Sequence, residues 1–304
     1  MNKIAIIECF NNSAGAKNGN TTIAHIKNNK IIADYIGCDY FIDTFDLDIA
    51  LADKWDTLVF TSSSFFAEHD KIKQILENNK NARKLYITND WKTCVPSELN
   101  KFDYEVISNF RPKNNKRKHY SLNLNCLMAR EPLPVIEKKF DCIYWGACRQ
   151  DRVNYFKEYL KGDIYLSTTA KAKKKFIEAG CTPKIAPQID WNKSLTHYFR
   201  YSLYIEDNWI HNNFHNLANR WYEAGIYNNV TFFDKDCMNT IAQSEIAEVF
   251  DKYYLVNGYN DLQNKINETR NNFAEHLARQ KEWHKIDLIT KAKVLSDIKT
   301  ILEV

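Results

Sequence analysis

Along the first half of the chain, short apolar runs alternate with polar stretches of helical or loop character. Ile4–Cys9, Tyr40–Ile42, Thr57–Ser62, Lys84–Thr88 and Tyr104–Ile107 are rich in branched and aromatic residues and end in polar turns, which predicts strands. Between them, Ala67–Asn78 places Ile72, Ile75 and Leu76 on one helical face. Strand, helix and strand at this spacing predict a parallel sheet covered by helices on both faces. The pattern breaks at Glu131-Pro-Leu-Pro-Val-Ile136, where two closely spaced prolines suit an interdomain connection. It then restarts: strands at Phe140–Trp145, Asp163–Leu166, Lys184–Ala186, Tyr201–Ile205 and Val230–Phe233, with helices at Asp151–Leu160, at Thr169–Ala179 closed by Gly180, and at His211–Ala224 capped by Gly225. The tail from Ile246 to Val304 reads as mostly helical, with Leu288, Ala292, Leu295 and Ile298 on one stripe.

The expected architecture is therefore α/β, with two Rossmann-like domains facing a cleft, spanning residues 1–134 and 135–304. Carboxyl ends of parallel strands in such folds favour nucleotides, because helix N-termini and backbone amides there attract phosphate.

Composition narrows the class. No run of about twenty apolar residues occurs, and the N-terminus enters a strand without an apolar leader, so a cytoplasmic protein is expected. Cys9, Cys38, Cys94, Cys126, Cys142, Cys148, Cys181 and Cys237 stand singly with no CxxC pair, which fits a reducing compartment and argues against a zinc site. The net charge of +4 is small, but Arg111-Pro-Lys-Asn-Asn-Lys-Arg-Lys-His119 is a dense basic tract. Arg111, Lys113, Lys116, Arg117 and Lys118 are accordingly nucleic-acid-binding candidates, against the plainer reading of a solvated loop.

Two constellations carry chemistry. In Asp141-Cys-Ile-Tyr-Trp-Gly-Ala-Cys-Arg-Gln-Asp-Arg152, a strand runs into a turn at Gly146 and a helix opens near Asp151. Arg149 in that turn, and then Arg152, can fork onto a diphosphate and offset leaving-group charge. No GxGxxG is present, which weakens a dehydrogenase reading. The second is Tyr201-Ser-Leu-Tyr-Ile-Glu-Asp-Asn208 with the helix after it, where Phe214, Leu217, Ala218 and Trp221 form a buried stripe and Asn212, Asn216, Asn219 and Glu223 a polar one. A carboxylate among amides suits the two hydroxyls of a ribose.

Asn219-Arg-Trp-Tyr-Glu223, followed by Ala224-Gly225 and the strand Val230–Phe233, resembles the donor-binding helix of GT-B glycosyltransferases. The resemblance extends over Phe140 to Asp236. It implies that Glu223 holds the donor ribose, beside Asn219 and Arg220 of the same motif, and that the Gly146–Arg152 loop meets the diphosphate; Glu206, from the Tyr201–Asn208 stretch, joins the candidate donor set. It also implies a nucleotide-sugar donor such as a UDP-sugar, no required cofactor or metal, and a C-terminal helix, Asp287–Val304, that crosses back to the first domain. The two-glutamate spacing of retaining families is absent, so the stereochemical outcome stays open.

On the acceptor side Asn11, Asn12, Ser13, Ser62–Ser64, Asn89, Asp90 and Trp91 sit at strand ends. Asp90 is the first choice for a catalytic base, and Glu68 and His69 the second. The Asn/Lys/Ile-rich, glycine-poor composition looks like that of a bacteriophage enzyme, and the architecture is similar to phage enzymes that glycosylate hydroxymethylated DNA bases. That makes double-stranded DNA a candidate partner and the host cytoplasm the setting. Competing readings are a transferase acting on a cell-surface glycan or lipid, and a non-catalytic two-lobed protein that binds nucleotide or nucleic acid.

Overall fold

The computed structural model describes residues 2–8, 24–42, 46–61, 69–88, 95, 98–109, 117–146, 148–186, 195–206 and 216–303, with the side chains of 24–26 and 69 left out. The chain divides into two compact units, Met1–Met128 with Lys291–Val304, and Ala129–Thr290.

Unit 1 is a six-stranded, all-parallel sheet. Its strands are β1 (Ile4–Ile7), β2 (Asp39–Phe41), β3 (Thr57–Thr61), β4 (Arg83–Thr88), β5 (Glu105–Ser108) and β6 (His119–Ser121), in the order β2-β1-β3-β4-β5-β6. The helices are α1 (Ala24–Ile36), α2 (Leu47–Ala52) and α3 (His69–Asn78). Central strands β1 and β3 are buried at every position, as expected when helices cover both faces, whereas edge strands β2 and β6 are partly exposed. Ile72, Ile75 and Leu76 of α3 pack with Leu58, Phe60 and Tyr86 in one core.

Unit 2 repeats the plan with β7 (Phe140–Trp145), β8 (Lys161–Ser167), β9 (Thr182–Ile185), β10 (Phe199–Tyr204), β11 (Val230–Asp234) and β12 (Leu255–Val256), in the order β12-β11-β10-β7-β8-β9. All pairs are again parallel. Its helices are α4 (Val153–Tyr159), α5 (Ala170–Glu178), α6 (Asn219–Ile226), α7 (Met238–Ile241), α8 (Tyr259–Thr269) and α9 (Phe273–Leu302). Pro183 falls in β9, an edge strand, where its missing N–H costs least. At α5, the Thr169 hydroxyl accepts from the Ala172 N–H and Gly180 closes the helix at φ +85°, as the sequence predicts.

Three sequence expectations change. The helix expected over His211–Ala224 is α6, which starts at Asn219: Ala218 is extended (φ −76°, ψ 163°) and its N–H donates to the Tyr204 hydroxyl at 2.7 Å. Asn216 therefore lies outside the helix and Asn212 outside the described residues, so the four-residue polar stripe does not form. Gly225 is inside α6 rather than its cap, because His284 packs against it: a Cβ there would sit 2.5 Å from His284 Nδ1. In α9, Ala292 is exposed, and Val294, Leu295, Ile298 and Leu302 form the buried stripe. That last stretch belongs to unit 1, where Arg83 donates to the Ile301 carbonyl. The C-terminal helix thus returns to the first unit.

The two-residue strand β12 pairs only with Phe233 and Asp234 of β11. Further back along β11, the Gln280 amide of α9 bonds the Thr231 backbone twice, Oε1 accepting from N–H at 2.8 Å and Nε2 donating to C=O at 3.0 Å. Gln280→Leu leaves two buried backbone groups unpaired and is expected to cost about 2–4 kcal/mol, at roughly 1–3 kcal/mol per group. A fall in the urea midpoint at constant slope is the expected reading, and an unchanged midpoint would refute it.

Candidate functional site

In unit 2 the chain runs from β7 outward through β8 to β9, then returns to place β10 on the other side of β7. Between the carboxyl ends of β7 and β10 the strand order reverses, and in open parallel sheets ligands bind at such a switch point.

Gly146 follows β7 at φ +143°, a backbone that favours glycine. A Cβ there would lie 3.2 Å from an Arg220 guanidinium nitrogen and 3.5 Å from the Tyr144 hydroxyl. The turn is pinned through its backbone: Gly146 N–H donates to the Ser167 carbonyl at 3.3 Å, and the Thr168 hydroxyl donates to the Gly146 carbonyl at 2.6 Å. Beyond β10 comes Glu206, 1% exposed, whose carboxylate is ion-paired with Arg152 Nη2 at 2.6 Å and accepts a hydrogen bond from Arg220. Arg152 arrives through the single 3₁₀ turn that precedes α4, and Arg220 from the first turn of α6. The Arg220 guanidinium also donates to the Ile205 carbonyl at 3.1 Å and lies 5.4 Å from the Tyr144 ring and 5.9 Å from the Tyr204 ring.

One carboxylate between two guanidiniums leaves a net positive charge in a buried place. Arg220 Nε, the Tyr144 hydroxyl and Asn219 Oδ1 are buried there without hydrogen-bond partners. The first two are donors and Asn219 Oδ1 is an acceptor; buried polar groups of that kind are rare unless something else satisfies them. The cluster is thus chemically prepared for an anion, with guanidinium geometry suited to phosphate oxygens.

One helical turn further along α6, Glu223 is 2% exposed and accepts from the Trp145 indole N–H at 2.7 Å. Trp145 is the last residue of β7, so the same strand end positions both the glycine turn and the carboxylate.

Gly146, Arg152, Glu206, Asn219, Arg220 and Glu223 thus come together at one end of the sheet. Arg149 is exposed, in extended backbone before the 3₁₀ turn. Tyr144, Trp145 and Tyr204 were not singled out by sequence reasoning. Their apolar surroundings mark them only as core: the strand end at Trp145 was legible, but nothing in the pattern shows which of these rings meets a site residue.

Asp90 and Glu68 lie outside the described residues, as does the His69 side chain at the start of α3. Asn11, Asn12, Ser13, Ser62–Ser64, Asn89 and Trp91 lie outside them too, with Arg111, Lys113 and Lys116 of the basic tract. The last two residues of that set are tied to unit 1: Arg117 stacks on Tyr104 with its guanidinium carbon 3.6 Å from the ring centre, and Lys118 reaches Glu105 at 3.5 Å. Among the described residues, no group of three or more His, Cys, Asp or Glu side chains is placed to hold a metal ion, and no helix is long and apolar enough to cross a membrane.

Compared with solved structures, the chain superposes along its whole length on a DNA-modifying β-glucosyltransferase determined with and without uridine diphosphoglucose (TM-score 0.75, 18% identity, 99% of this chain and 100% of that one). T4 phage BGT with UDP-glucose matches at TM-score 0.73 and 18% identity, and with UDP and Mn2+ at 0.72 and 18%, each over 99% of this chain and 100% of that one. The fold is that of T4 phage β-glucosyltransferase. It is a GT-B architecture, with two parallel α/β units and a last helix that ends in the first. No family model matches the sequence, and no curated protein matches it.

Removing the central carboxylate leaves two guanidiniums buried against each other. Glu206→Gln is expected to destabilise unit 2 by about 3 kcal/mol. Arg152→Met, which leaves Glu206 paired to Arg220, should cost clearly less. Urea unfolding of the two variants checks this, and equal losses would contradict it.

Proposed function

We propose that the chain is a glycosyltransferase that moves a sugar from a UDP-sugar to an acceptor hydroxyl, with the donor held in residues 135–304. The observation that carries this reading is the Arg152–Glu206–Arg220 cluster beside Gly146, at the switch point of a sheet whose fold is that of T4 phage β-glucosyltransferase. UDP-glucose is the first donor to try, because it is the nucleotide sugar bound in the T4 phage enzyme.

In this reading the Arg220 and Arg152 guanidiniums face the diphosphate, with Arg149 approaching it from the exposed side of the turn. Charge that develops on the leaving diphosphate is offset by these groups, which are already oriented and need little reorganisation. Glu223, with one oxygen fixed by the Trp145 indole, accepts from the ribose hydroxyls. Asn219 adds an amide next to Arg220. Glu206 orients both arginines and has no contact with the sugar. At the acceptor, Asp90 takes the hydroxyl proton, with Glu68 and His69 the next candidates.

The residues described at the donor site do not fit a divalent cation, since the Glu206 carboxylate is taken by two guanidiniums. Diphosphate binding is therefore assigned to the arginines without a required metal, although one T4 phage structure holds Mn2+ with UDP.

The acceptor we favour is a hydroxymethylated base in double-stranded DNA, with the phosphate backbone met by Arg111, Lys113, Lys116, Arg117 and Lys118 in residues 1–134. The DNA-modifying role of the matched β-glucosyltransferase supports this choice. A phage enzyme of this kind works in the host cytoplasm.

Calorimetric titration with UDP-glucose is the test of the donor. Glu223→Ala should weaken binding about tenfold, while Arg220→Met should lower kcat/KM by about 100-fold or more. EDTA should leave UDP affinity unchanged. Mass spectrometry of hydroxymethylated and plain DNA after incubation with UDP-sugars tests the acceptor, and glucose on the hydroxymethylated duplex alone is the expected product. Absence of binding to every common sugar nucleotide would overturn the donor reading.

A further inference from the structure

Tyr144, next to last in β7, is wholly buried. Its ring packs under α4 and α5, with ring centres 5.4 Å from Phe156 and 6.5 Å from Phe176. For that packing a phenylalanine would serve as well, and both of those neighbours are phenylalanines. The phenolic oxygen is an extra polar atom in aromatic surroundings, and among the described residues it has no hydrogen-bond partner. A buried hydroxyl in that condition lowers stability, and a ring held by its neighbours cannot swing the oxygen out to water.

The glycine turn shows what the oxygen faces. It lies 3.5 Å from the point where a Gly146 Cβ would sit, and Arg220 Nη1 lies 3.2 Å from the same point. The space that a side chain would fill at position 146 is therefore bordered by two hydrogen-bond donors, one from β7 and one from α6. Arg220 meets the Ile205 carbonyl and Glu206 through Nη2, so Nη1 is the nitrogen turned to this space. Acceptors close by are already engaged: Glu206 by two guanidiniums, and the Gly146 carbonyl by the Thr168 hydroxyl. Gly146 itself is half-buried, so the space is approached over the glycine. Two converging donors beside a net positive charge call for an oxygen that is anionic and accepts more than one hydrogen bond, as a phosphoryl oxygen does.

We propose that the Tyr144 hydroxyl is a further ligand of the donor diphosphate, donating with Arg220 Nη1 to a phosphoryl oxygen seated over Gly146. The nucleotide attached to that diphosphate rests on the function proposed above; the anion contact does not. The guanidinium supplies charge and the hydroxyl supplies direction. Because the ring is already fixed, little side-chain freedom is lost when the ligand arrives. The oxygen that weakens the free protein therefore strengthens the complex, a trade of stability for function.

Tyr144→Phe removes one oxygen and keeps the ring packing, and the test has two readouts. Urea unfolding of the free variant should give a midpoint equal to or above that of wild type, since an unsatisfied buried group has been deleted. Calorimetric titration should show affinity for UDP and for inorganic pyrophosphate each lowered about tenfold or more, the loss expected for one hydrogen bond to a charged acceptor. Unchanged UDP affinity in the variant overturns the proposal. A midpoint that falls also overturns it, because the hydroxyl is then a structural partner in the free protein. UDP that weakens while pyrophosphate keeps its wild-type affinity places the hydroxyl at the nucleoside and refutes the diphosphate assignment. If wild type binds pyrophosphate but not UDP, and Tyr144→Phe weakens the pyrophosphate, the donor reading fails and the hydroxyl's role as an anion ligand is upheld.

Discussion

Everything that makes unit 2 a candidate site depends on one buried carboxylate. Without Glu206, Arg152 and Arg220 would repel each other in a place from which water is largely excluded, and neither could be kept there. With it, their planes are fixed, the net charge stays positive, and Arg220 can lie across the end of the sheet between Tyr144 and Tyr204. The constraint reaches backward into the fold. Gly146 has to be a glycine because the guanidinium comes so close, and α6 has to begin where Tyr204 receives the Ala218 N–H, so that Arg220 falls in its first turn.

Legibility in the sequence followed from burial. The central strands are covered on both faces, so β7 and β11 appear as mainly apolar runs and their positions could be read to within a residue. Strands β6 and β12 escaped notice because His119-Tyr-Ser121 is a short polar edge and Leu255-Val256 is only a two-residue pairing. The site was partly legible: a glycine turn followed by arginines, and an Arg–Glu pair three residues apart, have a charge pattern that stands out. What a linear pattern could not give was partnership. Glu206 is 14 residues from Arg220, and its role as their shared counter-ion is set by β10 and β7 lying side by side. Similarly, Trp145 and Glu223 meet over 78 residues. The helical stripe from Asn212 to Glu223 was misread because Ala218 is extended and breaks the helical period before α6.

Helix α6 is short, yet each of its turns is claimed from outside. Tyr204 meets its start, Glu206 and Trp145 take two of its charged side chains, and Glu245 and His284 hold two of its aromatic rings. An isolated helix of this length would not persist in water. Its order comes from these tertiary contacts, so its position can respond to any one of them.

The Gln280 amide has an effect on how the molecule meets others. Where β12 stops, the border of the second sheet would present the bare backbone of Thr231, and a side chain from α9 fills that gap instead. An incoming extended segment finds that part of the border already satisfied and has no ladder to continue. The glutamine and the helix that carries it therefore leave no free Thr231 backbone on this side of β11 for another strand to pair with.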